Sequence, residues 1–164
     1  MNEALHRRLE YGKIGEDAFE NFCKSNKMVY RQFGLTKMEG YEEEDDYAPT
    51  EIFYKIPKLM QCSPDFWVVK NEFHFVECKM ADKKTGSHVK IKEHDLKYYK
   101  QWSSVAGLLF YIHNPMYNES YILKLEDIEN IIATGSCKEG MYGENGKYFY
   151  EIEMDSVRMY GKKV

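Results

Sequence analysis

Two short apolar runs, DFWVV at residues 65–69 and EFHFVECKM at residues 72–80, are separated only by Lys70 and Asn71. Runs of this length, rich in aromatic and β-branched residues and joined by turn chemistry, predict a β-hairpin. A strand gives every residue a face, because side chains two apart share a side. Glu77 and Lys79 therefore point one way, and Val76 and Cys78 the other. Asp65 enters the first strand and, across such a ladder, comes close to Glu77. Charges are unfavourable to bury without a partner. Three of them set into apolar strands are either an edge decoration or a site.

The remaining pattern supplies the rest of a layered fold. Residues 3–26 read as a helix with Ile14, Ala18, Phe19, Phe22 and Cys23 on one side, and Gly12 and Gly15 predict a break near residue 12. MVYRQFG, residues 28–34, predicts the first strand. A polar, acidic loop follows, and EIFYKIPKLMQ is a short strand or irregular cover. After the hairpin, KIKEHDLKYYKQWSSV predicts a helix beginning at Lys90. GLLFYIH predicts a strand buried on both faces. SYILKL and KYFYEIEM predict two more strands, with a short helix, EDIENIIATG, between them ending at Gly135. The order α-β-β-β-α-β with C-terminal additions predicts an α/β domain, a mixed central β-sheet flanked by helices.

Composition narrows the function classes. With 43% hydrophobic and 30% charged residues in 164, one folded, soluble domain is expected. No apolar run approaches the ~20 residues that cross a bilayer. The start, MNEALHRRLEYGK, lacks the apolar stretch of a secretory signal, which makes a cytoplasmic, non-membrane protein the expectation. Cys23, Cys62, Cys78 and Cys137 form no CxxC pair and the histidines no HExxH pair, so no structural zinc site is expected. The net charge of −4 is unevenly spread. Residues 39–51 hold seven acids (Glu39, Glu42, Glu43, Glu44, Asp45, Asp46, Glu51) and no Lys or Arg. Residues 79–100 hold seven lysines against Asp82, Glu93 and Asp95.

Two carboxylates converging on one point repel unless a positive charge sits between them. Mg²⁺ suits that arrangement, being a hard cation that takes one or two carboxylates and keeps several waters. A neighbouring lysine can orient or deprotonate a water, or stabilise charge on a phosphate. These ingredients fit phosphodiester hydrolysis.

Pro64-Asp65 opening one strand and Glu77-Cys78-Lys79 closing the next resemble the fingerprint of the PD-(D/E)XK nuclease superfamily. The resemblance implies a restriction-endonuclease-like fold, with a single nuclease domain over residues 1–164. Its core would span about residues 10–113, with the acidic loop at 39–51 and C-terminal additions at 114–164. It further implies that Asp65 and Glu77 bind the metal with the Cys78 backbone carbonyl, and that Lys79 is the catalytic lysine. YGKIGEDAFENF resembles the first helix of the archaeal-type Holliday-junction resolvase branch, whose glutamate falls at Glu16; that resemblance implies that Glu16 is a catalytic residue aiding a first or second metal ion. Helical geometry prefers Glu16, on the border of the apolar face, to Glu20, nearly opposite it. His94 and Tyr98 have the spacing of the Gln-x-x-x-Tyr of RecB-like exonucleases but not its first residue.

Lys90 and Lys92 at the predicted helix start, with Lys83, Lys84 and His94, are the candidate nucleic-acid contacts. The expected activity is Mg²⁺- or Mn²⁺-dependent cleavage of DNA by an endonuclease of resolvase-like or nicking type. A homodimer is expected by the same resemblance, and a targeting partner protein is compatible with it. The alternatives are an RNase, or a catalytically inactive nucleic-acid-binding or partner-binding module on the same fold.

Overall fold

A computed structural model gives the fold for residues 3–33, 55–142 and 146–164, with backbone alone for residues 3–9 and 11. The first segment is one helix, α1 (Glu3–Ser25), without the break expected near residue 12. Two glycines weaken a helix by about 1 kcal/mol each. Packing outweighs them, since Phe19 meets Phe66 at 5.1 Å and Tyr111 at 5.2 Å between ring centroids. Gly15 is buried against the Lys79 backbone, where even a Cβ would lie 3.8 Å away, so it brings α1 close to the site strand. Lys27 ends the helix at φ 53°, with Met28 N–H returning to the Cys23 carbonyl and Lys27 N–H to that of Lys24.

Strand β1 (Val29–Gln32) follows. The acidic loop lies outside the described residues, and the chain is next seen approaching a short helix, α2 (Lys58–Gln61), where a strand or irregular cover was expected. The indole N–H of Trp102 donates to the Leu59 carbonyl at 3.2 Å and ties α2 down. The hairpin forms as expected from β2 (Phe66–Val69) and β3 (Phe73–Met80), with Phe66 opposite Val76 and Val69 opposite Phe73.

Residues 88–103 depart from expectation. A strand, β4 (His88–Lys92), precedes the helix α3 (Glu93–Ser103), so Lys90 lies in a strand and Lys92 caps the helix. The reason is the period-two alternation of HVKIK, which buries Val89 and Ile91 and exposes Lys90 and Lys92. Strand β5 (Gly107–Asn114) runs parallel to β3, with Glu77 opposite Phe110 and Lys79 opposite Ile112. Then come β6 (Glu119–Lys124), α4 (Leu125–Ala133), β7 (Cys137–Tyr142), β8 (Lys147–Glu153), α5 (Met154–Tyr160) and β9 (Lys162–Lys163).

The strands form a mixed six-stranded sheet, β1-β2-β3-β5-β6-β9, and an antiparallel three-stranded sheet, β4-β8-β7. The α/β expectation holds, and the small second sheet is an addition to it. On one face of the main sheet α1 covers Phe66, Val76 and Tyr111. On the other, the core joins Phe75, Phe110 and Ile112 to Leu96, Ile128 and Ile152 of α3, α4 and β8. Strand β5 contributes to both cores, as its continuous apolar run requires. Among the described residues no helix is long and apolar enough to cross a membrane.

Candidate active site

Asp65 precedes β2 by one residue and is fixed twice. Its carbonyl accepts the Phe33 N–H at 2.7 Å, and its Oδ2 accepts the Cys78 N–H at 2.7 Å. The hairpin register sets it beside Glu77, which is only 5% exposed, one of the few polar residues buried in the described chain. Lys79 bonds Glu77 Oε1 through its ammonium, and that ammonium stands 6.0 Å from the centre of the Tyr99 ring. Tyr99 in turn packs edge-on to Phe110, the residue opposite Glu77 on β5.

The electrostatics show how tightly these groups are gathered. Burial first, and then the Glu77 charge, hold the Asp65 carboxyl well above the usual carboxylate range, against the opposing pull of Lys79 and the Cys78 N–H. Burial acts to lower the Lys79 ammonium, but Glu77 and Asp65 outweigh it and the group stays charged beyond the ordinary lysine range. The Cys78 thiol is pushed well up by burial and by Asp65 and Glu77, which makes it a packing group and no nucleophile.

Glu16 approaches from α1. Its carboxylate accepts from Gln32 Nε2 at 3.2 Å, and burial, then Asp17 and Glu77, raise its pKa. Glu20 instead accepts from Tyr30 at 3.1 Å and Lys24 at 3.3 Å, away from this cluster. Helix α3 closes the other side, one residue out of the register expected from sequence. His94 is exposed and packs on Tyr98 at 5.1 Å, while Asp95 and Tyr99 turn inward. Burial, then the charges of Glu77 and Asp95, raise the Tyr99 hydroxyl. Asp95 accepts from the Cys62 thiol at 3.8 Å, faces Lys92 at 3.7 Å, and adds to the field that keeps Lys79 charged. The inward turn of Tyr99 was readable from its place with Leu96 on the buried side of the helix; nothing in the sequence marked Asp95.

The basic residues are distributed around this centre. Lys83 and Lys84 are exposed on a turn after β3, which Asp82 Oδ1 fixes by accepting the N–H groups of Lys84 at 3.0 Å and Thr85 at 2.9 Å. Lys90 pairs with Glu151 at 3.6 Å, on the outer face of the small sheet. A groove of about 540 Å³ lies between α3, α4 and β8, lined by Lys97, Lys100, Glu129 and Tyr150, and none of the clustered carboxylates reaches it.

Among the described residues no group of three His, Cys, Asp or Glu side chains is arranged to hold a metal ion. The donor set fits a smaller demand. Two neighbouring carboxylates, Asp65 and Glu77, with the backbone carbonyl of Cys78 next to Glu77 in the chain, are hard oxygen ligands of the kind Mg²⁺ takes when it keeps most of its water.

No protein-family model matches the chain, and no curated protein does. Among solved structures the chain is similar to D212, a nuclease from a fusselovirus. The TM-score is 0.49 at 11% identity, over 95% of this chain and 86% of that one. At that distance no residue's role is carried across, and the reading of the site rests on its own geometry.

Proposed function

We propose that this chain is a metal-dependent nuclease of the PD-(D/E)XK type, hydrolysing DNA phosphodiesters as an endonuclease of the resolvase-like or nicking class. The observation that carries the reading is the meeting of Asp65, Glu77 and Lys79 at one point inside an apolar hairpin. A binding module without catalysis has no use for two buried carboxylates that repel each other.

Asp65, Glu77 and the Cys78 carbonyl would hold Mg²⁺ or Mn²⁺. When bound, such an ion supplies Lewis-acid charge to a phosphoryl oxygen and lowers the pKa of a coordinated water. The chain's own residues do the rest. The Cys78 N–H and the Phe33 N–H hold Asp65 at a fixed angle, so its other carboxylate oxygen is preorganised. Lys79 is kept charged, and an ammonium with no free lone pair cannot act as a base. Its role is to orient the attacking water and to stabilise charge on the phosphate. Lys79 fixes the Glu77 carboxylate, with the Tyr99 ring packed beside the ammonium. Glu16, on α1 and within the field of Glu77, would aid a first or second ion. Lys83, Lys84 and Lys92 are set to meet backbone phosphates.

A panel of supercoiled plasmid, linear duplex, single strand, four-way junction and RNA, each with Mg²⁺ or Mn²⁺, tests the proposal. Cleavage of at least one DNA, abolished by chelation, is expected. Cleavage of RNA alone would make the chain an RNase, and no cleavage of any substrate would leave it a binding module.

A further inference from the structure

We propose that the outer face of the small sheet docks single-stranded DNA running on from the Asp65–Glu77 centre, an inference that rests on the nuclease reading above. Side chains alternate across this sheet. Val89, Ile91 and Ile152 fill the core, so Lys90 and Lys92 stand on the opposite face. The register adds Lys138, which shares Glu151 as its cross-strand neighbour with Lys90, and Lys147, which lies opposite Tyr142. Four lysines thus share a face with Glu151 and Glu153, in a chain whose formal net charge is −4. The pairs Lys90–Glu151 at 3.6 Å and Lys138–Glu153 at 2.7 Å are solvent-exposed on the lysine side. Exposed pairs of this kind are weak and exchange readily for phosphate.

The face begins at the candidate active site. Lys92 stands 3.7 Å from Asp95 of α3, the helix whose Tyr99 ring lies 6.0 Å from the Lys79 ammonium. From there the surface becomes aromatic. The Phe149 ring lies across Gly140 so closely that a Cβ at that position would come within 2.3 Å of it. Only glycine there lets the ring lie flat. The Tyr142 ring is 4.4 Å from Phe149 and the Lys90 ammonium caps Phe149 at 4.6 Å, so Phe149 is buried beneath them and the half-buried Tyr142 is the ring the surface presents. A tyrosine ring backed by Phe149 and flanked by lysines matches a strand whose bases are free to stack and whose phosphates alternate with them. A duplex keeps its bases inside and would use the lysines alone, which favours a single strand as the occupant.

The test measures binding of a dye-labelled single-stranded oligonucleotide to the full chain in EDTA, by anisotropy across a salt series. The Lys138→Glu/Lys147→Glu variant is expected to bind about tenfold more weakly, with a salt slope shallower by about 1.4, or ~0.7 for each phosphate no longer neutralised. Tyr142→Ala should bind roughly tenfold more weakly with the slope unchanged, and Tyr142→Phe should bind as the parent does. Unchanged affinity in the lysine variant overturns the proposal. An equal loss on duplex DNA, or on single-stranded RNA, overturns the assignment to single-stranded DNA. Because chelation stops hydrolysis, single-strand binding by a chain that then cuts nothing in Mg²⁺ would sink the nuclease reading and leave this surface standing.

Discussion

Asp65 and Cys78 are joined across the hairpin by a 2.7 Å hydrogen bond from the Cys78 peptide N–H to Asp65 Oδ2. That bond holds a carboxylate beside a second one, and the Asp65 pKa is raised in consequence, by burial first and by Glu77 next. Asp65→Asn keeps an acceptor for the N–H and removes the repulsion. In EDTA the variant should be more stable than the parent by roughly 1 kcal/mol, or about 2–4 °C in Tm. It should also lose the stabilisation that Mg²⁺ gives the parent. A lower Tm in EDTA would contradict this account of the pair.

Lys79→Ala strands the buried Glu77 carboxylate without its ammonium. Breaking one side of a buried pair costs about 3–5 kcal/mol. Replacing both, as Glu77→Gln with Lys79→Ala, should recover part of that loss. Chemical denaturation of the two single variants and the double variant gives the coupling directly.

The inward register of α3 makes a sharp distinction between neighbours. Tyr99→Phe keeps the ring against Phe110 and loses the buried hydroxyl whose pKa the Glu77 charge raises. A fall of about tenfold in cleavage rate is expected, with roughly 1 kcal/mol or less of stability lost. Tyr98→Phe and His94→Ala, on the exposed side, should each change the rate by less than about twofold. Single-turnover rates for the three variants check the difference.

The C-terminal elements are pinned through Glu119. Its Oε1 accepts from Arg158 at 2.6 Å, and its Oε2 accepts from Tyr121 at 3.0 Å and Lys163 at 3.2 Å. The Arg158 hydrogen bond above all lowers its pKa. A carboxylate with a depressed folded pKa adds stability above its unfolded value, ~4.3 for glutamate, and loses it as pH falls through the folded value. Amide exchange at α5 and β9 should therefore quicken as pH drops below about 4, after correction for intrinsic rates. Glu119→Gln should remove that pH dependence, with about 1 kcal/mol lost at neutral pH.

Much of this was legible because strands encode faces. The spacing of Asp65, Glu77 and Lys79 in two apolar runs was enough to give the hairpin, its register and the meeting of the three charges. The limits of α1 and its preference for Glu16 over Glu20 near Glu77 followed from one apolar stripe. What escaped depended on partners distant in sequence. HVKIK alternates at period two, but so short a run needed its pairing with β8, far along the chain, to become a strand. CKEGMY carries two charges and a glycine, and its place as β7 comes from the Phe149 ring lying over Gly140. Asp95 turns inward instead of His94 because Leu96 and Tyr99 set the buried side of α3.

The most direct test of the central claim is nicking of supercoiled plasmid in Mg²⁺ by the parent chain, Lys79→Ala and Asp65→Asn, side by side. The account predicts metal-dependent cleavage by the parent and a loss of at least about a hundredfold in each variant. Cleavage that survives both substitutions, or a parent that cuts only without divalent ions, would contradict it.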